Sequence, residues 1–173
     1  MFLEARYFSA DVVHKFEAGG KVLVSSILYF VVGNDLKLTV PSLIDFGTHK
    51  PSDYEKGFES SPTVTGELSI FDGRNGDGTA HYNGNLQLLA SASDFVNDKG
   101  HQLNASLLWN GQSISNNENK VGELVPPTAS DPAFKDFTED VKNDLKLLVP
   151  KNTATESGKY SSTVTWTLQD TLQ

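Results

Sequence analysis

The sequence predicts an all-β protein: a single-domain antiparallel β-sandwich, or a barrel-like double sheet, with at most one short helix. Three observations lead there. Short apolar stretches alternate with polar residues at a period of two, which sends every second side chain to one face of a strand. Gly, Asn, Asp, Ser and Thr fill the gaps between these stretches, as turns require. A content of 38% hydrophobic and 10% aromatic residues in 173 suffices for one sizeable core and makes a second domain unnecessary.

In chain order, Met1 to Phe16 carries mixed charge without a period and is assigned no element. Residues 1–35 are expected to be an N-terminal segment packed on the domain, and 36–173 the β domain itself. Within the first segment, Lys21 precedes an apolar run from Val22 to Val32. One reading is a buried strand, or two strands with a tight connection; the other is the remnant of an export signal, although no Ala-x-Ala site follows. The run is far short of the roughly 20 residues a membrane helix needs, so no membrane span is expected. Leu36 to Val40 alternates and is stopped by Pro41, which cannot donate to a ladder. His49 to Pro62 holds Pro51, Gly57 and several charges, which suits a solvated connection.

Val64 to Asp72 returns to strand character and runs into Gly73-Arg74-Asn75-Gly76-Asp77-Gly78, with Asn-Gly and Asp-Gly turn chemistry in succession. Leu86, Leu88, Ala90 and Ala92 share one strand face. A polar turn at Asn97 to Gly100 leads to a strand over Leu103 to Trp109, then to an Asn- and Ser-rich loop from Asn110 to Lys120. Pro126, Pro127 and Pro132 argue against a central strand. Phe134, Phe137 and Val141 sit at helical spacing, and Ser130 with Pro132 can open the one short helix. Leu145 to Val149 is a strand closed by Pro150. The last stretch, Gly158 to Leu168, alternates strictly: Tyr160, Ser162, Val164, Trp166 and Leu168 point one way and hydroxyl side chains the other.

That terminal strand, with Gly158, Tyr160 and Trp166-Thr167-Leu168-Gln169-Asp170, resembles the C-terminal signature of the WxL domain, a surface domain of low-GC Gram-positive bacteria. Upstream, Leu38, Pro41, Ser42, Asp45, Phe46 and Gly47 match that family's early segment. Leu68, Ile70, Asp72 and Arg74 match the stretch before its Gly-rich turn, and Leu145 to Pro150 its penultimate strand. The first of the two Trp-x-Leu motifs departs: Leu86-Gln87-Leu88 stands there, with leucine for tryptophan. The resemblance covers about Leu36 to Asp170 and is patchy between Val96 and Asn143. It implies a non-catalytic, extracellular, wall-associated domain without a cofactor, attached non-covalently to peptidoglycan. WxL-binding surface proteins with immunoglobulin-like domains are the partners it implies. The candidate contact residues are then Trp166, Leu168, Leu86, Leu88, Asp72 and Arg74.

Other readings of the same residues stand beside these. Trp166 is either a contact residue or a core indole, the commoner role for a large side chain on an apolar strand face. Asp72 and Arg74, two apart on one face, either touch a glycan or metal or form an ion pair that fixes the turn. Asn75 to Gly78 is a poor calcium loop, because Gly73 takes the place of the acidic first ligand and no closing Glu follows. The four histidines form no His-x-x-x-His pair, and neither a Gly-x-Ser-x-Gly elbow nor a P-loop is present. Asp45-Phe46-Gly47 lacks every companion motif of a kinase. Without cysteine there is no disulfide framework or thiol chemistry. A net charge of −8 opposes binding to nucleic acid or anionic lipid.

The rival class is a glycan-binding module or carbohydrate-active enzyme on a jelly-roll-like sandwich, since a catalytic carboxylate pair can come from any two strands; a purely structural module of a surface fibre is a third. Glu156-x-Gly158-x-Tyr160 also resembles the tyrosine corner of immunoglobulin-like sandwiches, with Ser162 where the cysteine would stand.

Overall fold

The computed structural model describes residues 21–26, 29–30, 36–73, 85–125, 133–154 and 156–171, and of residues 21–26, 29–30, 170 and 171 the backbone alone. The early apolar run forms two strands, Lys21–Ser26 (β1) and Tyr29–Phe30 (β2). Leu36–Thr39 (β3) ends ahead of Pro41, and Leu43–Thr48 (β4) follows it. The stretch expected as a solvated connection instead holds a helix, Pro51–Lys56 (α1), and a strand, Phe58–Ser60 (β5). Proline suits a first helical turn, where its missing N–H would have no partner anyway. The Asp53 carboxylate accepts the Lys50 N–H at 2.8 Å. Tyr54 turns inward and is buried, so this charged stretch carries one core side chain.

Thr63–Thr65 (β6), Ser69–Asp72 (β7), Asn85–Ala92 (β8), Phe95–Asn97 (β9), Gln102–Leu103 (β10) and Ser106–Trp109 (β11) come next. The supposed loop after Trp109 begins as a two-residue hairpin turn. Asn110 and Gly111 take φ of 51° and 79° and lead straight into Gln112–Ser113 (β12). Asn-Gly tolerates two successive positive φ values, which matches the twist of the flanking strands. Asn119–Leu124 (β13), Ala133–Asp136 (β14), Thr138–Asp144 (α2), Leu145–Val149 (β15) and Tyr160–Thr171 (β16) complete the order.

Two short helices therefore occur among the described residues, where at most one was expected. The second begins at Thr138, and Phe134 lies in β14 rather than in a helix. Pairing of Phe134 with Phe71 across β14 and β7 overrides the helical spacing of Phe134, Phe137 and Val141. Ser130 and Pro132, the expected helix start, lie outside the described residues.

The largest sheet runs β10-β9-β16-β1-β4-β6, with β8 pairing both β16 and β13. β1 lies parallel to β16, Val22 opposite Tyr160 and Val24 opposite Ser162, and antiparallel to β4. Every other strand pair among the described residues is antiparallel. A second sheet is ordered β12-β11-β15-β5 and a third β14-β7-β3-β2. Their inward faces meet in one continuous core that includes Ile44, Leu68, Ile70, Leu88, Phe95, Leu107, Leu147 and Val164. The result is an all-β sandwich. No helix among the described residues is long and apolar enough to cross a membrane.

Glycine closes two tight contacts in this packing. Gly57, at φ +72°, sits so close to the chain after β15 that a Cβ would fall 2.6 Å from the Lys151 backbone nitrogen. In β13, at an irregularity in its pairing with β8, a Cβ on Gly122 would lie 2.5 Å from the Phe137 ring.

Candidate functional site

The strictest alternation in the sequence yields the clearest geometry. Along β8, Leu86, Leu88, Ala90 and Ala92 are buried while the intervening residues are partly exposed. Along β16, Tyr160, Ser162, Val164 and Trp166 are buried in the same phase. The two strands are antiparallel neighbours in register, Leu168 opposite Leu88, Asp170 opposite Leu86 and Trp166 opposite Ala90. Leu86-Gln87-Leu88 and Trp166-Thr167-Leu168 thus lie side by side, although Trp166 faces Ala90 across the ladder rather than Leu86.

Trp166 is 2% exposed and packs edge to face on Trp109 of the second sheet. Its buried Nε1–H finds no acceptor among the described residues. Leu86 and Leu88 are fully enclosed, and Leu168 is partly buried against the same core. Trp166, Leu86 and Leu88 therefore build the interior and present almost no side-chain surface to a ligand. Thr167, on the opposite face, is held by its hydroxyl, which donates to the Glu118 carboxylate at 2.8 Å.

Asp72 is buried at the end of β7, opposite Leu36 on one side and Ala133 on the other. Arg74 and the Asn75 to Gly78 turn lie outside the described residues, and with them the expected Asp72–Arg74 pair.

At the start of β16 the Tyr160 hydroxyl reaches back four residues, accepting the Glu156 N–H at 3.1 Å and donating to the Glu156 carbonyl at 3.2 Å. This is the hydrogen bonding of a tyrosine corner. The Glu156 side chain in turn meets His101 Nδ1 at 2.6 Å and Lys99 Nζ at 3.9 Å on the surface. Ser162, in the cysteine's place, donates to the Ser93 carbonyl at 2.6 Å. Among the described residues no three His, Asp or Glu side chains gather as a metal-ligand set.

Three residues escaped the reading of the sequence. Trp109 was placed in a strand, but its role as the partner of Trp166 depends on how two sheets face each other. Phe71 and Phe134 stand opposite each other on an outward face. The signal for Phe71 was its phase, one position out of step with Ile70 and Asp72.

No family model matches the chain, and no curated protein matches it by sequence.

Proposed function

We propose that this chain is a non-catalytic domain of the Gram-positive cell surface, held non-covalently on peptidoglycan and working alongside WxL-binding surface proteins with immunoglobulin-like domains. The observation that carries this reading is the juxtaposition of β8 and β16. Leu86-Gln87-Leu88 and Trp166-Thr167-Leu168, the two stretches that resemble the paired motifs of the WxL family, are neighbours on adjacent strands with Leu168 opposite Leu88, which supports this reading. The replacement of tryptophan by Leu86 keeps that stretch apolar and enclosed. In this reading the paired motifs are the scaffold, and contact with the wall falls to residues on outward faces. The acidic balance of the chain leaves little for a simple charge attraction to anionic wall polymers.

The test is co-sedimentation of the folded protein with purified Gram-positive peptidoglycan. A substantial fraction is expected in the pellet at physiological salt. Complete retention in the supernatant, with the fold verified by circular dichroism, would overturn the attachment reading.

A further inference from the structure

The third sheet turns Ile70, Leu38 and Ala133 into the core, and by the alternation of strand side chains Phe71, Lys37 and Phe134 face outward. Phe71 is 36% exposed and Phe134 60%. Register lines them up: Phe134 is opposite Phe71, and Phe71 is opposite Lys37 on the next strand. Directly opposed residues in adjacent strands project from the same face. The result is a row of phenylalanine, phenylalanine and lysine that starts on β14, at the end of the sheet order, and runs inward across β7 to β3.

Several features say what such a row can hold. All three residues sit on strands backed by core side chains, so their spacing is fixed before any ligand arrives. The two rings make no ring contact with each other, and Lys37 has no ion-pair partner among the described residues. Strands advance by about 4.8 Å from one to the next, a step comparable with one pyranose ring in a β-linked chain. A pyranose has an apolar C–H face that stacks on an aromatic ring and a rim of hydroxyl oxygens that accept from an ammonium.

Competing occupants fit less well. The exposed parts of the two rings amount to roughly 200 Å², against about 800 Å² that each partner gives to a stable protein interface. A net charge of −8 opposes a nucleic-acid backbone or an anionic membrane.

We propose that the row Phe134, Phe71 and Lys37 is a glycan-binding strip for a β-1,4-linked chain of N-acetylated amino sugars. The rings stack on the C–H faces of successive sugars, and the Lys37 ammonium donates to a hydroxyl, acetamido or carboxylate oxygen at the inner end. The choice of amino sugar rests on the wall-attachment reading; the stacking geometry does not.

The experiment titrates the folded protein with tetra-N-acetylchitotetraose, read by saturation-transfer NMR and calorimetry, and compares wild type with Phe71→Thr/Phe134→Thr and with Lys37→Gln. Threonine keeps strand propensity at outward positions, and near-ultraviolet circular dichroism of the buried tryptophans reports an intact core. Wild type is expected to bind at millimolar sugar, the double variant at least tenfold more weakly, and Lys37→Gln severalfold more weakly. Should the double variant not fold, the single Phe134→Thr variant at the more exposed ring carries the same expectation of weaker binding. No binding by wild type, or equal binding by wild type and the folded variants, overturns the strip. So does concentration-dependent dimerisation that the substitutions abolish without any effect of sugar. Co-sedimentation in parallel separates the two readings. Equal pelleting of wild type and double variant with peptidoglycan leaves attachment standing and removes this strip from it. Sugar binding that depends on the row, without pelleting, does the reverse.

Discussion

Trp109 and Trp166 meet edge to face, with ring centroids 6.0 Å apart and planes at 83°. One belongs to β11 and the other to β16, so the contact joins the second sheet to the largest one across the core. Both rings are almost wholly removed from water. Truncating Trp166 to alanine should cost about 3–5 kcal/mol, mostly as lost burial and residual cavity. Trp166→Phe should cost clearly less, because it keeps an aromatic ring and removes an N–H that has no acceptor among the described residues. A double-mutant cycle with Trp109, measured by urea unfolding, should return a coupling of about 0.5–1.5 kcal/mol. Strict additivity would mean that the edge-to-face geometry contributes nothing beyond area.

The tyrosine at the start of β16 gives a smaller effect with a sharper cause. The Tyr160 hydroxyl is the partner of both backbone groups of Glu156, which anchors the chain as it enters the longest of the described strands. Tyr160→Phe keeps the ring and removes both bonds, so it should lower stability by about 0.5–1.5 kcal/mol. Amide exchange should speed up at Glu156 while the centre of β16 stays protected. Unchanged exchange at Glu156 would show that the hydroxyl is dispensable to the corner.

How much of this was legible in the sequence follows from how local each signal is. β8 and the stretch of β16 from Tyr160 to Trp166 were readable residue by residue, because burial alternates along them and period-two patterning needs no knowledge of the partner; the alternation ends at Thr167, which is buried beside Trp166. Their adjacency joins stretches some eighty positions apart, which the alternation of either strand alone does not encode. α1 was missed because five of its six residues are polar or proline and its one buried residue, Tyr54, gives no periodicity. The start of α2 was misplaced because Phe134 has helical spacing to Phe137 and Val141 but finds a strand partner, Phe71, more than sixty positions away. The parallel β1–β16 pair joins the first described strand to the last, and no local pattern encodes it.

Gly122 makes a test of packing at the β13 irregularity. A methyl group added there would meet the Phe137 ring at 2.5 Å, and Phe137 is itself 1% exposed with little room to retreat. Gly122→Ala should destabilise by about 1–3 kcal/mol, the usual cost of overpacking. Combining it with Phe137→Leu should recover part of the loss, so that the double variant is more stable than the sum of the two single effects predicts. Thermal or urea unfolding of the three variants decides it, and simple additivity would rule out the clash as the cause.

The start of α2 should show in the acid range. Asp136 has its carboxyl held below the usual carboxylate range, chiefly by the Thr138 hydroxyl and next by the Thr138 backbone N–H, which donates to Oδ1 at 2.8 Å. A folded pKa below the unfolded one means that the group stabilises the fold above its unfolded pKa of about 3.9 and loses that contribution as pH falls through the lowered value. The stability difference between wild type and Asp136→Ala should therefore be full at neutral pH. Below about pH 4 it should close progressively. Urea midpoints at several pH values measure it, and a difference that stays constant into strong acid would show that the carboxylate charge is not what stabilises this turn.

Leu86 stands where the proposed WxL resemblance would have a tryptophan, and placing a tryptophan there distinguishes a scaffold from a contact surface. Leu86 is fully buried on β8, opposite Asp170, two positions along the ladder from the Leu88–Leu168 pair and four from Ala90, which faces Trp166. Leu124 of β13 is its partner on the other side and is also buried. An indole is much larger than an isobutyl group, and enclosure by β13 and β16 on either side leaves no open direction for the difference. Leu86→Trp should therefore overpack, lowering stability by about 1–3 kcal/mol and perturbing Leu124 and Leu88 first. Peptidoglycan pelleting, corrected for the folded fraction, should not rise. A variant as stable as wild type that binds the wall more strongly would show that this end of β8 opens to a partner, and would return Leu86 and Leu88 from the scaffold to the contact surface.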